Sequence, residues 1–431
     1  MLFKIKKSSF LAPVFIWFAI ITIILPLVSI FGKIVYPNEV FAAGNGFSYS
    51  RSITIDHTKV PNTDQTNFPV AFSGIFSYLA TTGNGGKVQN ANGYDVGFYS
   101  SSDCASGNKM NWETQIYSAT GTGTSTYWIR IPTLSHTVDT VYYVCYGNSS
   151  ISTDQSSRTS VWDSNFKAVY HSGDGTTISL NDSTVNANNL TNNGATETTG
   201  PLGAAFSFNG TTSYLERVGT AVTSAEPATL SALFFPNATT GYAMAIDGTG
   251  AGGGLDALGM RPAGVVRMTR GGSVTTNAPD SVSPNLYTIS AWNHASAVFT
   301  STSSRTIYVD GNSTGTTDTT AVTSPNSLNT TLVGARRFGN VINGVFNGAV
   351  AEARFSNIAR SGDWATTEYN SMIGISSFYA IGSEQTTGVD TTPPVISGGS
   401  PSGALTSGTT STTLAVTTDE NATCKYSASS G

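Results

Sequence analysis

Residues 330–355, TTLVGARRFGNVINGVFNGAVAEARF, decide the fold. Two apolar runs, 331–334 and 345–355, flank a loop rich in Gly, Asn and Arg, the pattern of a strand, a loop and a second strand. In the second run, period-two alternation places Ala349, Ala351, Ala353 and Phe355 on one face and Gly348, Val350, Glu352 and Arg354 on the other. Glu352 and Arg354 are then same-face neighbours, expected to pair over a mostly apolar sheet surface.

Upstream, 205–208 and 213–218 flank Asn209-Gly210, which reads as a hairpin because tight two-residue turns need positive φ at both central positions. Asp247-Gly248 and Asp310-Gly311 repeat the device. Three stretches then carry a resemblance: VWDSNFKAVYHSGDG (161–175), TIYV before Asp310-Gly311, and FNGAVAEARFSNIARSGDWATTEYNSM followed by SSFYAIGSEQ. Together they resemble the laminin-G-like, concanavalin A-type jelly rolls of bacterial surface proteins, from about Val161 to Gln385. That family usually reads G-x-I-D-E-V-R-I at the closing strand. Ala351 stands where its Asp would be, so no role of that Asp is carried over. Where the family has a Trp-containing strand, this chain has ATLSALFFPNAT.

Before this region, YSRSITID (49–56), FPVAF (68–72), DVGFY (95–99), MNWETQIY (110–117), TYWIRI (126–131) and TVYYVCY (140–146) recur at sandwich-like spacing with Gly, Ser and Asn between them. A small antiparallel β-sandwich over 44–150 is expected. These motifs resemble the bacterial and archaeal surface domain known as domain of unknown function 2341, which commonly precedes a laminin-G-like module; the resemblance implies placement and no chemistry. A Pro/Thr linker (TTGVDTTPP) opens 387–431, where DENATCKYS resembles the start of an immunoglobulin-like module. The expected fold class is therefore all-β: tandem antiparallel β-sandwiches, the small one and then the concanavalin A/laminin-G-like jelly roll over 160–386, followed by the start of an immunoglobulin-like module.

Charged residues are only 11% of the 431 and the formal net charge is −5, while Gly, Ser, Thr and Asn abound. This composition suits an extracellular β-protein and, with no basic patch beyond the N-terminus, argues against nucleic acid as a partner. Lys4, Lys6 and Lys7 precede an uncharged apolar run over 10–31, so 1–43 reads as a signal peptide or an N-terminal membrane anchor. Membrane contact is expected only there. Export permits disulfides, and Cys104 and Cys145, within one small sandwich, are expected to pair. Cys424 lacks an obvious partner, and the sequence ends within an unfinished strand pattern, so a longer natural protein is expected.

Hydrolysis needs two carboxylates held about 5–9.5 Å apart. The E-x-D-x-x-E string of retaining jelly-roll glucanases does not occur, and Glu226, Glu368 and Glu384 stand alone. His57, His136, His171 and His294 are scattered, and His171 reads as core packing. No H-E-x-x-H, Cys-x-x-Cys or phosphate loop is present, and GTGAGGG (248–254) lacks the Lys and helix of one. No cofactor is expected; calcium stays open, with Asp182, Asp247, Asp256 and Asp310 as candidate ligands, although Asp before Gly at two of them is what a tight turn demands. Sugar recognition needs an aromatic face and hydroxyl partners, and Arg336, Arg337, Tyr242, Arg267 and Arg270 are the candidate ligand contacts. The expected function is an exported, non-catalytic cell-surface protein whose jelly roll binds a glycan or an extracellular surface partner in adhesion or recognition. The alternatives are an architectural stalk without a ligand and an accessory carbohydrate-binding part of a larger polysaccharide-degrading enzyme.

Overall fold

Six strands fill the first third of the chain: β1 (Tyr49–Ile55), β2 (Gln65–Gly74), β3 (Val96–Tyr99), β4 (Trp112–Ile116), β5 (Ser125–Leu134) and β6 (Thr140–Tyr146). They are part of a computed structural model that describes residues 46–418 apart from 174–176, 224–225, 249–253, 262–264, 272–279, 313, 322–327, 339, 387–395, 403, 406 and 414. Strands β1, β6 and β3 lie in one sheet, and β2, β5 and β4 in a second. Pro69 is tolerated because β2 is an edge strand, paired only with β5. Along β5 the side chains alternate: Tyr127, Ile129 and Ile131 join the core of this sandwich, while Thr126 and Trp128 point the other way and are just as buried. A strand buried on both faces means that something covers the second sheet from outside.

The cover is the larger half. It supplies β7 (Phe166–Tyr170), β8 (Thr191–Asn193), β9 (Thr196–Thr198), β10 (Ala205–Asn209), β11 (Tyr214–Val218) and β12 (Ala228–Pro236). Then come β13 (Gly241–Gly248), β14 (Leu255–Arg261), β15 (Val265–Gly271), β16 (Asp280–Leu286), β17 (Asn293–Ser301) and β18 (Ser304–Val309). The last are β19 (Thr316–Asp318), β20 (Leu328–Val333), β21 (Arg336–Phe338), β22 (Val341–Asn343) and β23 (Asn347–Ser356). An eight-stranded antiparallel sheet runs β19-β18-β17-β12-β23-β10-β9, with β7 also paired to β23, and a seven-stranded one runs β16-β15-β14-β13-β20-β11-β8. Phe206, Phe234, Phe299 and Phe355 from the first meet Met244, Ile246, Leu258 and Val333 from the second in a jelly-roll core. The outer face of the eight-stranded sheet, with Leu233, Ala349 and Ala351, packs into the same apolar cluster as the first sandwich.

Several expectations change here. The runs at 331–334 and 345–355 are β20 and the chain into β23, but they belong to opposite sheets, and the loop between them is itself a hairpin, β21–β22. Likewise Asn209-Gly210 is no hairpin turn: β10 and β11 lie in different sheets, and Asn209 Oδ1 accepts from the backbone N–H groups of Thr211, Thr212 and Ser213 to steer the crossing. The alternation of β23 breaks at Glu352, whose φ is 54°, where the pairing with β12 slips. Val350, Ala353 and Phe355 therefore face the jelly-roll core, and Ala349 and Ala351 face the first sandwich. This bulge turns Ala351 and Glu352 to the same side.

The end of the stretch expected as jelly roll also differs. Gly362–Met372 is a helix, capped by Ser361, whose Oγ accepts from the Trp364 N–H. Then β24 (Tyr379–Ile381) and β25 (Gln385–Thr386) pair with β1, so the end of the stretch read as jelly roll completes a sheet of the first sandwich. Arg51 on β1 fastens it, donating to Gly382 O at 3.0 Å beside Glu384. A disulfide joins Cys104 to Cys145 on β6. Strands β26 (Ile396–Ser400) and β27 (Ala415–Thr418) pair with each other. Residues 1–43 and Cys424 lie outside the described residues, among which no helix is long and apolar enough to cross a membrane.

Ending the chain at Phe378 removes β24 and β25 and leaves β1, which carries Ile53 and Ile55, as an open edge paired only with β6. The truncated protein is expected to melt at a lower temperature and to self-associate. An unchanged melting curve with a monomeric elution profile contradicts the assignment of those strands to the first sandwich.

Candidate functional site

The seam between the two sandwiches holds a chain of charged groups out of water. On β4, Trp112 points into the first core, so the next residue, Glu113, points at the seam, side by side with Trp128 in the β4–β5 register. His171 follows β7 directly, Glu352 and Arg354 lie on β23, Glu368 on the helix and His294 on β17. All are at least nine-tenths buried. Glu113 Oε2 accepts from Trp162 Nε1 at 2.9 Å and lies 3.3 Å from His171 Nε2; its Oε1 accepts from Ser183 Oγ at 2.6 Å. His171 Nδ1 is 2.8 Å from Glu352 Oε2. Arg354 donates to Glu352 at 3.1 Å and to Glu368 at 2.7 Å, and His294 Nε2 lies 3.2 Å from Glu368. Aromatic rings wall the chain: His171 stacks on Trp128, and the Arg354 guanidinium lies 4.5 Å from the centre of the Trp128 ring and 5.1 Å from that of Trp162.

The electrostatics follow from these neighbours. Burial alone would lower the pKa of His171, but Glu352 and Glu113 outweigh it and raise the imidazole to about 9, so both ring nitrogens carry protons and donate. Burial pushes Glu368 up, and Arg354 first, then His294, pull it down to about 2. Signs therefore alternate along Glu113, His171, Glu352, Arg354 and Glu368, each charge touching its opposite. The expected Glu352–Arg354 pair is present, within a longer chain than sequence suggested.

Asp182, a candidate calcium ligand, is consumed by its own loop. Its Oδ1 accepts from the N–H groups of Val169 and Thr184, and its Oδ2 from Thr184 Oγ1 and the Asn188 N–H. These bonds set Ser183 against Glu113. Asp310 sits in a turn at φ 47° and accepts from the His294 N–H. Burial raises Asp247 to about 8, against the opposing pull of the Arg337 N–H and the guanidinium groups of Arg336 and Arg337. Asp256 is 2% exposed on β14.

Of the candidate sugar contacts, Tyr242, Arg336 and Arg337 lie together beside the β21–β22 hairpin, and for Tyr242 the expectation needs correction. Tyr242 is 4% exposed, so its ring offers no stacking face. The Arg336 guanidinium lies 4.9 Å from its centre, and Gly344, at φ 56°, approaches so closely that a Cβ there would come within 2.6 Å of the ring. Arg337 is ion-paired with Glu216, and its backbone N–H donates to Asp247. Arg267 and Arg270 are on β15 opposite Gly259 and Asp256, with side chains outside the described residues. The sugar-facing aromatic that motivated this group is covered by the β21–β22 hairpin.

Sequence reasoning missed Glu113, Glu368 and His294 as members of one cluster. Glu368 had a signal: Ser361 as a cap, Asp363 in the first turn, and Trp364, Thr367, Glu368, Ser371 and Met372 at helical spacing. Glu113 had none, because alternation places it opposite the core without saying that the opposite side is buried.

A family model described as the Concanavalin A-like lectin/glucanases superfamily matches residues 209–365. No curated protein matches the chain. Among solved structures, domain 4 of AbnA, a GH43 extracellular arabinanase from Geobacillus stearothermophilus, in complex with arabinotriose, is 18% identical at a TM-score of 0.38, with 47% of this chain and 97% of that one covered. The native heptameric SAP-like pentraxin from Limulus polyphemus is 14% identical at 0.32, covering 38% and 80%. The botulinum neurotoxin serotype C1 binding domain is 11% identical at 0.36, covering 48% and 52%.

Two outcomes test the seam. Glu352→Ala strands Arg354 and His171 out of water and is expected to cost about 3–5 kcal/mol, with part of the loss recovered when Arg354 is also removed. A loss within about 1 kcal/mol in denaturant titrations contradicts a buried pair. The pH dependence has a definite sign. His171 binds its proton more tightly folded (about 9) than unfolded (6.5), so its contribution is complete below pH 6.5 and is lost as pH rises through about 9. Glu368 works oppositely, complete above 4.5 and lost as pH falls through about 2. Melting temperatures of wild type should fall from pH 6.5 to 9, and His171→Gln should flatten that slope; an equal slope in both contradicts the assignment.

Proposed function

We propose that this protein is an exported, non-catalytic cell-surface protein that binds a glycan through its lectin-type half. The observation that carries this reading is the state of the buried carboxylates in a concanavalin A-like sandwich. Glu113, Glu352 and Glu368 are all engaged by internal donors, so none of them is one of a free pair facing a substrate. The match of residues 209–365 to a lectin and glucanase family supports carbohydrate as the ligand class. The basic and then apolar stretch within 1–43 supports export, and the Cys104–Cys145 disulfide suits an oxidising compartment. The resemblance of 44–150 to a bacterial and archaeal surface domain supports display at the cell surface.

A second reading, a spacer without a ligand, draws support from the seam: two sandwiches locked by buried charges make a stiff unit. Incubating the intact protein with plant and microbial polysaccharides separates the readings. Retention on at least one polysaccharide without release of reducing ends is expected. Released reducing ends would make the protein a hydrolase, and no retention on any polysaccharide favours the spacer.

A further inference from the structure

Where the seam opens beside Glu113 and His171 it leaves a cavity of about 450 Å³, within the range of small-molecule sites, which favour domain interfaces. We propose that this cavity is the subsite for a single sugar ring, an inference that rests on the glycan-binding reading and places it at the seam, away from the outer sheet. Glu113, 4% exposed, lines it and is locked by three partners. Among the described residues its Oε1 accepts from Ser183 alone, which leaves one acceptor position for a ligand hydroxyl. Gln115, on the same wall, accepts from Trp128 Nε1 and donates one amide hydrogen to His171 O, keeping a second donor and a second lone pair.

The opposite wall sets Ser179 between two apolar residues. Ile178 and Leu180 line the cavity and are half-buried against the jelly-roll core. Ser179 N–H donates to Ser172 O at 2.8 Å, and Leu190 N–H to Leu180 O at 2.9 Å, which hold that wall in place. Hydroxyl partners on one side and a C–H surface on the other are the two faces of a pyranose or furanose ring. Arg158, exposed, also lines the cavity and adds guanidinium donors for ring oxygens. Asn181 stands exposed at the mouth.

Crystals of the intact protein soaked in glucose, galactose, xylose or arabinose are expected to show an ordered ring hydrogen-bonded to Glu113. A cavity without sugar in every soak overturns the proposal. In parallel, Asn181→Trp should block the mouth and weaken polysaccharide retention at least roughly tenfold, while Val138→Trp, an equally bulky change at an exposed loop, should leave it unchanged. Retention by Asn181→Trp equal to wild type overturns the site and leaves the glycan reading standing. No retention by wild type overturns the glycan reading, and the soaks then decide the cavity alone.

Discussion

The alternating chain from Glu113 through His171, Glu352 and Arg354 to Glu368 is the constraint on which the two halves of the molecule depend. Moving an ion out of water costs several kcal/mol, so a buried chain of them is poor evidence of net stability. Its value lies in geometry. The members come from β4, the end of β7, β23 and the helix, and each bond is satisfied only when those elements are in one relative position. The apolar contacts around it, among Leu202, Leu233, Ala349 and Ala351, tolerate sliding; the ion chain does not. Trp128 and Trp162 keep solvent from the charges and stack on His171 and Arg354, so the aromatic and ionic parts of the seam reinforce each other.

One backbone detail makes the chain possible. Strict alternation along β23 would send Glu352 and Val350 to the same side, into either the seam or the jelly-roll core. The left-handed conformation at Glu352 costs of order 1 kcal/mol or more for a residue with a Cβ. It also lets β23 exchange neighbours, pairing with β10 through Val350 and with β7 from Ala353. The bulge thus puts Val350 into one core and Glu352 into the seam, and brings β7, with His171 at its end, to the partner it needs.

The all-β class was legible because alternation and turn chemistry are local and the composition left no competing class; the lectin-type sandwich was legible only through the resemblance that 161–175, TIYV and the stretch ending in YAIGSEQ carry. What was not legible is what depends on which surfaces meet. Asn209-Gly210 has the sequence of a hairpin turn, yet nothing local says that the strands on either side enter different sheets. YAIGSEQ reads as a tail of the second half, and its pairing with β1 joins residues more than 300 positions apart, beyond the reach of any local pattern. Glu352 and Arg354 could be paired from their spacing. Their link to Glu113 and Glu368 required knowing that both faces of β5 are covered. Tyr242 failed as a sugar platform for the same reason, since exposure is a property of the β21–β22 hairpin folded over it.

These coverings narrow where recognition can occur. A two-sheet sandwich has four sheet faces, and two of them make its core. A third, the outer face of the eight-stranded sheet, is consumed by the first sandwich, the helix and the ion chain. Among the described residues, the fourth carries the hairpin over Tyr242 and the Arg337–Glu216 pair. The proposed subsite lies at the seam, where Glu113 comes from one sandwich and Ile178 and Leu180 from the other. A site assembled in this way needs both halves in register, and the buried ion chain enforces that register.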